Sequence, residues 1–133
     1  MQNIKYQSEF LPEVEIYVVF SEYPKYEDLL PLFDEYGYGF LVPDKNIVLI
    51  DGEQLLELGI DTLKFIEAHE ISHIILGHDG PRNQEDELDA DLGAYILLKN
   101  YHKSTDTLLN NFFDRHGIEF DESLLDRVSE YFQ

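Results

Sequence analysis

Cysteine is absent from the 133-residue chain. This absence excludes disulfide bonds, thiolate metal sites and cysteine nucleophiles, and it is typical of a protein of the reducing cytosol. Long apolar runs are also missing, since none approaches the roughly 20 residues that a transmembrane helix needs. The first residues lack the basic and then apolar pattern of a secretory signal. The sequence therefore predicts a cytoplasmic protein without a membrane span.

Basic residues are scarce. The chain has 9 lysines and arginines against 28 aspartates and glutamates, a formal net charge of −19. Such a surface repels nucleic acid phosphates and anionic membranes, because binding either one requires clustered Lys and Arg. It favours a protein or peptide partner, above all a basic one. The simpler alternative is that the charge only keeps the surface solvated.

The length and the globular composition predict one domain over residues 1–133, without repeats or linkers. The β-branched and aromatic stretch 14–20 predicts a strand. A helix is predicted from Pro24, a favoured first helical residue, to a stop at Gly37. Pro31 falls inside that helix and predicts a kink or two short pieces.

Two apolar runs, 38–42 and 46–50, flank the turn residues Pro-Asp-Lys and predict a β-hairpin. The rest of the chain predicts helices. Their expected bounds are Asp61 (cap) to Gly77 or His78, Gln84 to Tyr101, Ser104 (cap) to Gly117, and a last helix from Asp121 (cap). A small antiparallel sheet followed by four to five helices is an α+β fold.

Residues 69–73 read HEISH, the zinc-binding pattern H-E-x-x-H. A match to this pattern has about a 2% probability of arising by chance from this composition, so its surroundings must support it. At about 100° per helical residue, His69 and His73 lie about 40° apart, and one ion can contact both imidazoles. Glu70 lies beside them at an angle that suits a general base and not a ligand.

Apolar residues surround HEISH on nearly every side of its helix, which predicts that the helix is buried. Buried histidines and a buried glutamate need partners, because unpaired polar groups are costly in a protein interior. A Zn²⁺ ion would be one such partner. A hydrogen-bonded pair of core histidines without metal is the alternative.

The next predicted helix carries two carboxylates, Glu87 and Asp91, at the head of an apolar stripe. Burial of both without a cation would be expensive. We therefore predict Glu87 as the third zinc ligand and Asp91 as the acceptor of a hydrogen bond from a ligand imidazole. The alternative is that both extend the acidic face of the helix. That face is predicted to be solvent-exposed and comprises Glu85, Asp86 and Asp89.

A third histidine ligand would follow the pattern H-E-x-x-H-x-x-G-x-x-H and would be accompanied by a methionine turn. Gly77 and His78 each miss that spacing by one residue, and Met1 is the only methionine. If the helix continued to residue 78, His78 would point about 140° away from His73. These observations exclude His78 as a predicted ligand and favour a cap or loop role.

The segments HEISHIILGH (69–78) and ELDADLGAYILL (87–98) together resemble the ImmA/IrrE family of zinc metallopeptidase-like proteins. That family has the gluzincin arrangement, H-E-x-x-H followed by E-x-x-x-D. The resemblance covers roughly residues 61–98. It implies a zincin-like fold with His69, His73 and Glu87 as zinc ligands, Glu70 as base and Asp91 behind the ligands.

The chain departs from this family at two positions. Asp89 and Gly93 stand where family members often have Glu and Phe, and only 13 residues separate His73 from Glu87. Family members often act on, or bind, DNA-binding regulators, sometimes beside a helix-turn-helix domain, and no such domain is evident in this sequence.

The predicted activity is peptide-bond hydrolysis, in which Glu70 takes a proton from a zinc-activated water and passes it to the leaving amine. An oxyanion stabiliser is also needed. The candidates are Tyr95, Tyr101, His102 and His116. The strand at 46–50 could offer an edge to an extended substrate, or it could equally be a covered core strand. The alternative function is a catalytically silent, zinc-stabilised protein-binding or regulatory module.

Overall fold

The computed structural model describes residues 2–42, 44–59, 62–78, 83–101 and 114–133, with only the backbone of 100 and 101. It is an α+β protein. Its elements are β1 (Ile4–Gln7), β2 (Glu15–Val19), α1 (Tyr26–Tyr36), β3 (Gly39–Val42), β4 (Ile47–Asp51), α2 (Gly52–Leu58), α3 (Leu63–Ile75), α4 (Gln84–Tyr101) and two 3-10 helices, Glu122–Arg127 and Ser129–Phe132. Internal contacts define two units that divide within α3, between Glu70 and Ile71. In the described ranges no helix has the length and apolar character to cross a membrane.

The sheet of the first unit has four strands in the order β1-β2-β4-β3. β2 and β4 pair in parallel, with Ile16 opposite Val48 and Val18 opposite Ile50. The predicted antiparallel sheet is therefore wrong for this pair, and the sheet is mixed. The reason lies in the connection: α1 and β3 separate β2 from β4 in sequence, which gives the chain room to return in the same direction.

The β3–β4 hairpin confirms the predicted one, with Phe40 opposite Leu49. Asp44 and Asn46 form its turn with positive φ angles of 66° and 50°, a conformation that Asp and Asn tolerate better than most residues. β4 has a neighbour on both sides, so the suggestion that this strand offers a free edge to substrate is wrong. Of the two alternatives, the structure supports a covered core strand.

The helix expected from Pro24 begins instead at Tyr26, with Lys25 at its N-cap. Pro31 lies inside one continuous 11-residue helix, which corrects the prediction of two pieces. Packing supports this helix across the proline, because Tyr26 and Phe33 join Val19 and Phe40 in a buried cluster. The predicted stop at Gly37 is confirmed, with φ at 91° and its N–H bonded to Phe33 O.

Two elements lie outside the predicted set, β1 and α2. β1 is mostly exposed and pairs antiparallel with β2. α2 follows β4 directly, and the buried Asp51 caps it by accepting from Glu53 N at 3.1 Å. The same carboxylate accepts from the hydroxyl of Tyr26 at 2.8 Å and from Gln54 Nε2 at 2.9 Å. Burial, followed by the contact with Asp51, raises the pKa of Tyr26.

The second unit is built on α4, whose bounds confirm the predicted helix 84–101. The last predicted helix is wrong in type: residues after Asp121 form two 3-10 helices. Asp121 does cap the first of them, accepting from Ser123 N at 2.9 Å. The 3-10 form brings residues three apart onto one side, so that Leu125 and Val128 face the same core. That core is Leu92 and Val128 with Leu76, Leu88, Ile96, Phe120, Leu124, Leu125 and Phe132 around them.

Gly93 has a steric role on α4. A Cβ atom there would lie 2.4 Å from the ring of Phe132 and 2.6 Å and 2.8 Å from Oγ and Cβ of Ser72. Ser72 belongs to α3, so a side chain at position 93 would push the facing residues of the two helices apart. This close approach favours glycine at position 93 over any residue with a side chain.

We expect Gly93→Ala to lower the free energy of unfolding by about 1–3 kcal/mol, the usual cost of overpacking a core. The sign is informative, because alanine on its own favours a helix over glycine by up to about 1 kcal/mol. Chemical denaturation of wild type, Gly93→Ala, Phe132→Ala and the double variant measures the effect. We expect the double variant to lose less free energy of unfolding than the sum of the losses in the two single variants. Losses that add exactly would contradict the proposed clash.

Candidate metal centre

α3 carries the three groups of the HEISH pattern in its second half. His69, Glu70 and His73 are all buried, with exposed fractions of 3%, 3% and 0%. One ligand atom from each lies within 4.8 Å of the others, and this is the group among the described residues that could hold a metal ion. The i,i+4 spacing brings the imidazoles together, as predicted.

α3 ends at Ile75, earlier than the predicted Gly77 or His78. Gly77 adopts a left-handed φ of 72°, its N–H bonds to Ile74 O at 3.1 Å, and the N–H of His78 bonds to His73 O at 2.9 Å. These two bonds and the left-handed glycine form a Schellman motif, a common helix end. His78 therefore has the expected capping role, through its backbone N–H. The expected helix start at Asp61 lies outside the described residues.

The side chain of His78 turns back onto α3. Its Nδ1 atom lies 2.8 Å from Nδ1 of His73, and the two rings meet edge to face with centroids 5.1 Å apart. The separation of about 140° was predicted only for a helix that continues to residue 78, and it does not apply because α3 ends at Ile75. The left-handed turn at Gly77 reverses the direction of the chain and places the two imidazoles in contact.

Glu87 lies in the first turns of α4, with Oε1 3.4 Å from Nε2 of His73. Its other oxygen pairs with Arg115 Nη2 at 3.1 Å. Glu87 is not a member of the group formed by His69, Glu70 and His73. The predicted third ligand thus contacts a predicted histidine ligand and, at the same time, a cation.

Asp91 is buried one turn further along α4. Its Oδ1 accepts from Arg115 Nη1 at 3.2 Å, and its Oδ2 lies 2.6 Å from Nε2 of His116. Arg115 is therefore a bridge between Glu87 and Asp91. No spacing rule in the sequence pointed to this arginine; the scarcity of basic residues was the one available signal.

The four oxyanion candidates have different surroundings. His116 is mostly buried against Asp91. Tyr95 is buried with its ring against Phe120, at a centroid distance of 4.5 Å. The side chain of Tyr101, at the end of α4, and the whole of His102 lie outside the described residues, as do residues 104–113 of the predicted third helix. All four candidates stay predictions.

On the acidic side of α4, Glu85 is exposed as predicted, whereas Asp86 and Asp89 are half-buried. Asp89 and Glu85 both pair with Arg127, at 2.9 Å and 3.0 Å. Asp86 is half-buried and belongs to the helix start: its Oδ2 accepts from Asn83 N at 3.3 Å, and its N–H donates to Asn83 Oδ1 at 2.8 Å. This reciprocal pair is a capping box.

Comparison with known proteins does not identify the chain. No family model, no curated protein and no solved structure matches it. The resemblance to the ImmA/IrrE family therefore rests on the two sequence segments that carry it.

The chemistry of the buried group suits zinc. Imidazole nitrogens and carboxylate oxygens are zinc ligands, and a structural or catalytic site uses three or four of them. His69 and His73 supply two nitrogens in one group, and Glu87 brings an oxygen next to His73. Within the described ranges every buried side-chain nitrogen and oxygen has a hydrogen-bond partner, so burial alone does not demand a metal. The fit of zinc to this site rests on the chemistry of these nitrogen and oxygen ligand atoms.

Glu67 is a second buried carboxylate on α3, and no motif pointed to it. It is fully buried and accepts from the hydroxyls of Tyr6 at 2.6 Å and Ser8 at 2.7 Å. Lys64 Nζ lies 3.2 Å away and completes the shell. Burial, and next the bond to Glu67, raise the pKa of Tyr6. The carboxylate oxygens of Glu67 already accept from these three donors, so the role of Glu67 is structural.

Proposed function

We propose that this chain is a compact, zincin-like and zinc-dependent metallopeptidase of the gluzincin type. The observation that carries the proposal is the buried group of His69, Glu70 and His73 on one helix, with ligand atoms within 4.8 Å of one another. Two imidazoles four residues apart on a helix, with a glutamate directly after the first, are the arrangement of the H-E-x-x-H class of metallopeptidases.

Each residue has a distinct role in this proposal. His69, His73 and Glu87 hold the zinc ion. When bound, zinc supplies positive charge that lowers the pKa of a water molecule toward neutrality. Glu70 would accept a proton from the water whose oxygen adds to the peptide carbonyl carbon, and would pass that proton to the amine nitrogen as the C–N bond breaks.

The substrate is a protein or peptide, and the net charge of −19 favours a basic one. Clustered carboxylates raise the local concentration of cationic partners, and salt weakens this attraction. Hydrolysis of matched basic and acidic model peptides at low and high ionic strength measures this preference directly.

Metal analysis of the purified protein tests the site. We expect about one zinc per chain after reconstitution, loss of hydrolysis on chelation, and recovery on return of zinc. A His73→Ala variant is the negative control. Failure of the wild-type chain to bind zinc even after it is supplied would overturn the proposal.

Zinc binding without hydrolysis would instead support a zinc-stabilised binding module. The observation that favours this second function is the position of Arg115, which pairs with both Glu87 and Asp91. A carboxylate held by a cation is suited to a fixed, structural role. Thermal unfolding with and without zinc, together with a peptide-cleavage assay, separates the two functions.

A further inference from the structure

His78 lies between His73 and Asp86 in the second unit. Its Nδ1 is 2.8 Å from Nδ1 of His73, and its Nε2 is 3.6 Å from Oδ1 of Asp86. The side chain of His78 is 13% exposed, and that of His73 is fully buried. The three groups form a row that begins at a carboxylate and ends at a predicted metal ligand.

Two helix ends hold this row in place. The Schellman motif at Gly77 fixes the backbone of His78 against the end of α3. The capping box between Asn83 and Asp86 fixes the carboxylate at the start of α4, with Oδ2 engaged by Asn83 N and Oδ1 toward His78. The first motif consists of backbone hydrogen bonds and the second of a reciprocal pair of side-chain-to-backbone bonds, so hydrogen bonds at two helix ends set the positions of His78 and Asp86.

The nitrogen-to-nitrogen contact permits one proton between the two rings. Neutral imidazole has one N–H donor and one acceptor nitrogen, so either His73 or His78 donates through Nδ1. A histidine that binds a metal through Nε2 must carry its proton on Nδ1. His78 can accept a hydrogen bond from Nδ1–H of His73 only when its own proton is on Nε2. The carboxylate of Asp86 faces Nε2 of His78 and favours this tautomer.

We propose that His78 and Asp86 are positioning residues that hold His73 in the Nδ1–H tautomer and direct its Nε2 toward the metal. The inference rests on the proposed metal site. Ligand histidines usually donate to a carboxylate, a carbonyl or a water. Here an imidazole takes that place and is itself oriented by a carboxylate.

The first test compares His78→Asn with His78→Leu. Asparagine can keep an acceptor oxygen near the position of Nδ1, whereas leucine removes the acceptor. Loss of such an outer partner weakens metal binding by about 10–100-fold, and we expect this loss in His78→Leu. We expect His78→Asn to retain most of the affinity. Chelator-competition titration with zinc measures both, and equal affinities in wild type and His78→Leu would overturn the inference.

Asp86→Asn provides a second variant with a matched control. Asparagine can still cap α4, so the helix start is kept while the charge beside His78 is lost. Zinc affinity should fall in the same direction as in His78→Leu, though by less. Glu85→Gln removes one charge from the neighbouring residue, which is 71% exposed, and should leave affinity unchanged. If Asp86→Asn and Glu85→Gln lowered the zinc affinity equally, only net charge would matter and the role of Asp86 would be overturned.

The tautomers themselves give a readout that a purely structural role would not change. Long-range ¹H–¹⁵N spectra of the zinc-loaded wild-type protein report which ring nitrogen carries the proton. We expect Nδ1–H on His73 and Nε2–H on His78. A proton on Nδ1 of His78 would overturn the inference even if His78→Leu failed to fold.

The failures of the two proposals are distinguishable. A wild-type chain that binds no zinc removes the metal site and this inference with it. A wild-type chain that binds zinc with the same affinity as His78→Leu, or with the opposite tautomers, removes the inference alone.

Discussion

Replacing Glu70 with glutamine is expected to slow peptide hydrolysis by about 10²–10⁴-fold, the usual contribution of a general base. Glutamine keeps the size of the side chain but cannot accept the proton. Zinc content should stay the same, because Glu70 is assigned to proton transfer and not to the metal. Initial rates with a peptide substrate, together with the zinc content of the same samples, measure both quantities.

Glu85→Gln is the matched control for this experiment, since it makes the same chemical change at an exposed position of α4. It should hydrolyse peptide at the wild-type rate. If Glu70→Gln retained full activity with zinc bound, a different residue would be the base. If Glu70→Gln instead lost its zinc, Glu70 would be a ligand and the assignment of roles within HEISH would be wrong.

Replacing Glu87 with alanine is expected to weaken zinc binding by more than about 100-fold, beyond the range seen for groups behind the ligands. Glu87 is the proposed third ligand, and its Oε1 is already 3.4 Å from Nε2 of His73. Two histidines alone leave the ion with fewer protein ligands than zinc sites normally have. Competition titration at fixed pH gives the affinity, and an unchanged value would show that another residue is the third ligand.

The ion pair of Glu87 with Arg115 requires its own control, because Glu87→Ala removes this pair as well. Arg115→Gln breaks the same pair from the other side and leaves the carboxylate in place. We expect its zinc affinity to stay at or above that of wild type, since a cation no longer competes for Glu87. A loss as large as that of Glu87→Ala would assign the effect to the ion pair.

The helices around the candidate site were predictable because local signals set them. The pattern of α4 predicted Gln84–Tyr101 with the bounds that the structure has. The i,i+4 spacing of His69 and His73 was sufficient to place both imidazoles in one group, since helical geometry is the same in every helix. Burial of α3 also followed from its apolar surroundings.

Long-range pairing could not be predicted in the same way. The pattern of β2 and β4 shows that both are buried strands, but it carries no information on which strand lies beside which, or in which direction. β1 escaped prediction because its residues are mostly exposed and its position depends on pairing with β2.

The contacts of His78 and Arg115 were beyond sequence reasoning for a different reason. A change of two or three residues at the end of α3 reverses the direction of His78, and helix ends are the least predictable parts of a helix. Arg115 lies 24 residues after Asp91 and 28 after Glu87, so only the folded chain brings them together.

The shell of Glu67 has a consequence for the order of folding. Its two hydroxyl donors, Tyr6 and Ser8, are 61 and 59 residues away in sequence. Contacts of this separation form late, because a long loop must close first. Until then the carboxylate of Glu67 lacks two of its three donors, so its hydrogen-bond shell is completed only when the N-terminal segment docks. During synthesis that segment emerges first and is ready when α3 arrives.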